Sequence, residues 1–143
     1  MSINYLLVPS TVRPLPVFYE IQVKPLTYKY IGYFGALTFR RDNVDILIKA
    51  FAESVARSRC NYFWSLVDTA LKATKNIIIS LAEEMNILNK INLLDYMPRE
   101  EITKYIAGSE ILVMVRSKDM ESQASFPSKL TEYLAASIPL ITV

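Results

Sequence analysis

Five short apolar runs, spaced so that a helix fits between each pair, constrain this chain more than any other feature. The run Ile111-Leu112-Val113-Met114-Val115 carries no polar residue, so as a strand it is apolar on both faces. Such a strand needs cover above and below, which a parallel sheet sandwiched between helices supplies and a half-wetted antiparallel sheet does not. Residues 30–34 (YIGYF, stopped by Gly35), 62–67, 91–94 and 140–143 complete the set. Between the first two, Val44, Leu47, Ile48, Phe51 and Val55 fall at i, i+3, i+4, i+7 and i+11, the stripe of an amphipathic helix. Asp42 or Asn43 can cap that helix, and Asp45 suits its first turn. A second helix is predicted over 71–87, with Ile78, Leu81 and Met85 on one face. Pro98 and Pro127 open two more, at the first-turn position that proline favours. Strand alternating with helix predicts an α/β fold: a doubly wound parallel sheet of about five strands.

Composition narrows the chemistry. Of 143 residues, 52% are hydrophobic, enough for a packed core. Sixteen Lys and Arg against fourteen Asp and Glu leave +2, too balanced for coating nucleic acid. There is one cysteine and no histidine. Disulfides, Cys/His zinc sites and histidine-dependent nucleophiles are therefore excluded within this chain. Cys60, with no base beside it, reads as structural. No apolar run approaches the roughly eighteen residues of a membrane span. No secretory signal is present, so a cytoplasmic location is expected. Four of the seven prolines fall within the first 25 residues, so residues 1–28 read as an extended linker or arm and 29–143 as the folded unit. The sequence stops inside the apolar run 138–143, which gives the expectation of a fragment, incomplete after its fifth strand.

In open parallel sheets, ligands bind beyond the carboxyl ends of the strands, where strand order reverses. With the common order 3-2-1-4-5, that place lies between strands one and four. Strand one leads into Gly35-Ala36-Leu37-Thr38-Phe39-Arg40-Arg41-Asp42-Asn43, and strand four into Arg116-Ser117-Lys118-Asp119 and then the helix opened by Pro127. Both segments are basic, and a helix N-terminus with unpaired N–H groups favours an anion.

The run FPSKLTEYLAASIPLI at 126–141 resembles the nucleotide-sugar motif of retaining group 1 (family 4) glycosyltransferases, in its form PSKL-x-EY-x-A-x-G-x-P-V. IGYFGAL at 31–37 with RDNVDILIKAF at 41–51 is similar to the family element Y-x-G-x-L…K-D-G-V-D-x-L-I-x-A-F, and 105–113 resembles its passage into the fourth strand. The resemblance implies a Rossmann-like domain, the C-terminal, donor-binding half of a GT-B enzyme whose N-terminal domain lies elsewhere. It also implies metal-independent transfer from a nucleoside-diphosphate sugar (UDP- or GDP-sugar), with no further cofactor, to a hydroxyl on a saccharide or lipid-linked acceptor. Any membrane association would belong to the absent domain.

Carried onto this sequence, the resemblance makes Glu132 the ribose-binding carboxylate. Pro127, Ser128 and Lys129 fall at the helix start that meets the diphosphate. Arg41, preceded by Arg40, stands where the family places a phosphate-reaching lysine and is a candidate stabiliser of the leaving diphosphate. Gly35 would admit backbone close to the diphosphate without a Cβ. Each has a plainer reading: a dipole-favoured glutamate, a surface lysine, a solvated Arg-Arg loop, a strand-ending glycine. Three positions depart from the family pattern: Ala124 replaces an earlier glutamate, and Asn43 and Ser137 replace glycines. The alternative is thus a non-catalytic α/β domain, either a pseudoenzyme assembly partner or a receiver-like module. A receiver wants acids at the end of strand one, where this chain has Gly35-Ala36-Leu37; Asp95 is the one leftover. Trp64 reads as core, Glu83-Glu84 and Arg99-Glu100-Glu101 as solvated helix faces, and Lys118-Asp119 with Glu121 as a surface loop.

Overall fold

Parallel pairing governs the architecture. The computed structural model describes residues 25–35, 37, 43–57, 62–67, 72–116 and 127–142. In chain order these form β1 (Tyr30–Phe34), α1 (Val44–Arg57), β2 (Phe63–Val67), α2 (Lys72–Glu84), a 3-10 turn (Leu88–Lys90), β3 (Ile91–Leu94), α3 (Arg99–Gly108), β4 (Ile111–Met114), α4 (Ser128–Ala135) and β5 (Leu140–Thr142). The five strands lie in the order β3-β2-β1-β4-β5, every pair parallel, as the sequence predicts.

Alternate residues of β1 enter different cores, which is the strand's period of two made visible. Tyr33 joins Val44, Leu47, Ile48 and Phe51 of α1 and Ile78 and Ala82 of α2 on one face. Tyr30 and Phe34 join Ile106 of α3 and Tyr133 of α4 on the other. Each of these residues is at most 6% exposed. The doubly wound arrangement therefore follows from strands that are apolar on both sides.

Several boundaries differ from the sequence reading. Helix α2 stops at Glu84 although the apolar stripe runs on. Asn86 turns left-handed (φ 56°), and the Ile87 N–H returns to the Ala82 carbonyl at 2.9 Å, closing the helix and burying Ile87. Pro98 and Pro127 are the capping residues of α3 and α4, not their first helical residues. Strand β4 ends at Met114, one residue short, though Val115 stays buried.

Two positions where the resembled pattern has glycine show a distinctive backbone. Asn43 and Ser137 both hold left-handed backbone, at φ 45° and 56°. Glycine would adopt this conformation with less strain than the asparagine or serine present.

Candidate functional site

Strand order reverses between β1 and β4, and the groups at that point come from both sides of the sheet. Gly35 follows β1 with φ 140°, a conformation that side chains rarely adopt. Lys129, at the start of α4, lies directly over it: a Cβ placed on Gly35 would come within 2.7 Å of Lys129 Nζ. The lysine passes over the end of the sheet and donates to Tyr33 Oη at 2.7 Å, its Nζ 4.4 Å from the Tyr33 ring centroid. Because Tyr33 belongs to the opposite core, this one side chain links the two faces. Lys129 is half-buried, not the surface lysine of the plainer reading.

Helix α4 is held at this edge by a buried tyrosine. Tyr133 Oη accepts the Phe34 N–H at 2.8 Å and lies 3.3 Å from the Phe34 carbonyl, to which its O–H is directed. That contact spans 99 positions of sequence and fixes the last residue of β1, just ahead of Gly35. The cap residue Pro127 offers no side-chain bond, and no acidic residue stands in the first turn of α4. Ser128 is exposed there. The positive end of the helix dipole is thus left without an internal counter-charge from its own first turn.

Glu132 sits one turn into α4. Its Oε1 lies 2.7 Å from Arg99 Nη2, at the start of α3, with the two side chains 31% and 64% exposed. Arg99 stays on the exposed face that the sequence predicts and pairs there with the candidate carboxylate. Of its neighbours, Glu101 turns instead to Lys104 within α3, at 2.5 Å. Asp95 in the β3–α3 loop is paired with Lys75 of α2, and that ammonium holds its carboxyl below the usual aspartate range. Burial pushes the Tyr30 phenol well above its ordinary value, so it remains a donor, to the Tyr105 carbonyl at 2.7 Å.

The structure therefore brings together Gly35, Pro127, Ser128, Lys129 and Glu132. Arg40 and Arg41 lie outside the described residues, as do Cys60, Ala124 and the segment 117–126. Sequence reasoning missed three contributors: Tyr33, Tyr133 and Arg99. Tyr133 is legible as the tyrosine beside Glu132, but its role depends on a strand far away in sequence. Among the described residues, no three His, Cys, Asp or Glu side chains gather as metal ligands, and no helix is long and apolar enough to cross a membrane.

A parallel sheet wound on both faces, with a lysine and the start of α4 at its point of reversal, defines a Rossmann-like α/β domain. The family model described as "Glycosyl transferases group 1" matches residues 18–143, and the chain belongs to that family. Solved structures place the fold among the GT-B glycosyltransferases. WaaG, described as a glycosyltransferase involved in lipopolysaccharide biosynthesis, is 18% identical with a TM-score of 0.60, over 88% of this chain and 31% of its own. HepE from Anabaena, solved in complex with UDP-glucose, gives 15% and 0.65, over 81% of this chain and 30% of its own. The C-terminal domain of LpcC, a group 1 family protein from Francisella tularensis, gives 15% and 0.65, over 80% of this chain and 57% of its own. The chain thus spans less than a third of WaaG and of HepE. No curated protein matches it.

Proposed function

We propose that this chain is the donor-binding unit of a glycosyltransferase, working with a second domain to move a sugar from a UDP- or GDP-sugar to a hydroxyl of a glycan or lipid-linked glycan. The observation that carries this reading is Lys129 laid over Gly35 at the strand reversal, with the uncapped start of α4 beside it and Glu132 one turn further on. The diphosphate lies against the Lys129 ammonium and the first amides of α4. Charge that builds on the leaving diphosphate as the sugar departs is stabilised by groups already in place, which is where preorganised electrostatics contribute most. In this reading the stabilisation needs no metal ion, since a lysine and the helix amides supply the positive charge, with Arg41 the further cation that the sequence resemblance offers. Glu132 accepts hydrogen bonds from the ribose hydroxyls, charge-assisted bonds worth roughly 1.5–3 kcal/mol each. The UDP-glucose complex of HepE, a protein of the same fold, supports a nucleotide-sugar donor here.

The test is titration calorimetry of the chain with UDP and with GDP. Glu132→Ala should weaken the nucleotide that binds by about tenfold or more, equivalent to about 1.4 kcal/mol. Unchanged titrations for both nucleotides would remove the ribose assignment.

A further inference from the structure

We propose that Arg99 is a positioning residue for the nucleotide ribose, holding the Glu132 carboxylate ready for two adjacent hydroxyls. This role rests on the assignment of Glu132 to the ribose and extends it to a second helix. Arg99 is the first residue of α3, directed by the extended backbone of Pro98 (φ −57°, ψ 154°), and Glu132 lies in the second turn of α4. In a parallel sheet both helix starts lie at the carboxyl edge, where a ligand of this fold class binds.

Three points favour positioning over simple stabilisation. A pair this exposed adds only about 0–1 kcal/mol to folding, so stability alone is a weak reason for it. The closest approach is of Arg99 Nη2 to Glu132 Oε1, at 2.7 Å. An ionised carboxylate offers about four lone-pair sites, so the arginine leaves room for both hydroxyls of a vicinal diol. Finally, a free glutamate side chain loses rotamer freedom when it is fixed, at a cost of up to roughly 2 kcal/mol. With Arg99 in place that cost falls at folding rather than at binding, the effect of preorganisation. The arginine also keeps a negative group anchored beside a helix start that otherwise attracts anions.

The experiment compares the 143-residue chain and its variants in binding UDP and GDP, their 2′-deoxy counterparts, and inorganic pyrophosphate. Arg99 is largely exposed, so Arg99→Met leaves no cavity. This variant should lose about three- to tenfold in affinity for the ribonucleotide, the range of coupling expected for a contacting pair. The preference for ribose over 2′-deoxyribose should shrink by a similar factor while pyrophosphate binding stays unchanged. Arg99→Lys, which keeps the charge but lacks the fork, should recover part of the preference. If Arg99→Met keeps the full preference while Glu132→Ala loses it, the positioning role is overturned and the ribose role of Glu132 stands. If Arg99→Met binds more tightly, the arginine is a competitor for the carboxylate and the proposal also fails. If Glu132→Ala itself keeps the preference, the underlying reading falls, and the inference with it.

Discussion

Helices α3 and α4 begin alike but differ in the charge of their first turns. Each follows a strand of the same sheet, and each is capped by a proline that offers no side-chain bond. The first turn of α3 carries Glu100 and Glu101, which answer its dipole from within. The first turn of α4 carries no acid, and Lys129 adds a positive charge that is pinned to Tyr33. Fold alone therefore does not set the charge at a helix start. What separates the two is whether the first turn supplies its own counter-charge, and the one that does not stands where the strand order reverses. The two helices are also tied to β1 by different tyrosines: Tyr30 reaches forward in sequence to α3, and Tyr133 of α4 reaches back to Phe34.

The largest expected effect tests that second tie. Tyr133→Ala removes an aromatic ring that is 1% exposed and should cost about 3–5 kcal/mol in urea unfolding. Tyr133→Phe keeps the ring but strands the buried Phe34 N–H, for about 1–3 kcal/mol. A neutral Tyr133→Phe would show that α4 is not anchored through its hydroxyl.

Next in size are two glycine substitutions, one under Lys129 beside the start of α4 and one at the far end of α3. Gly35→Ala forces a Cβ into a positive-φ position under Lys129, costing about 1–2 kcal/mol and weakening pyrophosphate binding by the chain. Gly108→Ala at the end of α3 meets Tyr30 Oη at 2.5 Å and Pro25 Cδ at 2.8 Å, so it should lower thermal stability without changing pyrophosphate affinity. Equal losses of pyrophosphate binding in both variants would erase the distinction between the two helices.

A smaller effect, of opposite sign, lies at the other end of α4. Ser137→Gly relieves left-handed strain and should stabilise by about 0.5–1 kcal/mol once the extra freedom of glycine in the unfolded chain is allowed for. Ser109, which caps α3 in extended conformation, should gain nothing from the same change. Denaturation midpoints of the two variants decide the matter.

The smallest effect is in the loop that leads to α3. Asp95 is held below the ordinary aspartate value of 3.8 by Lys75, so their contact adds stability above that pH and loses it as pH falls through the lowered value. Lys75→Met should remove this acid-side slope from the stability profile and leave pyrophosphate binding as it was. An unchanged slope would show that the pair is not coupled to folding.

Much of the fold was legible because its signal is local. Strands apolar on both faces, such as β4, and the helical stripe from Val44 to Val55 announce a covered parallel sheet without reference to anything distant. Helix ends were less legible: Met85 and Ile87 prolong the stripe of α2, and only the turn at Asn86 shows that Ile87 is tucked beneath the helix end. The site was half legible. Glu132, Lys129 and Gly35 stood in recognisable patterns, whereas the left-handed backbone at Asn43 and Ser137 is seen only in the structure. The contacts that give the site its shape join Lys129 to Tyr33 across 96 positions and Arg99 to Glu132 across two helices. Spacing within one element carries no trace of such pairs. Tertiary packing decides them.

Helix α4 has a consequence for how this protein can change. Lys129, Glu132 and Tyr133 point respectively over Gly35, toward Arg99 and into the core, all from five consecutive residues of an eight-residue helix. Each residue advances an α-helix by about 100°. A single inserted codon between Lys129 and Glu132 would therefore swing the glutamate and the tyrosine together by over a quarter turn, taking one from its arginine and the other from β1. Substitutions can alter these contacts one at a time; a shift in length alters them all at once. The stretch from Pro127 to Tyr133 should thus be the least tolerant of insertion or deletion in the described chain, even where its individual side chains are free to vary.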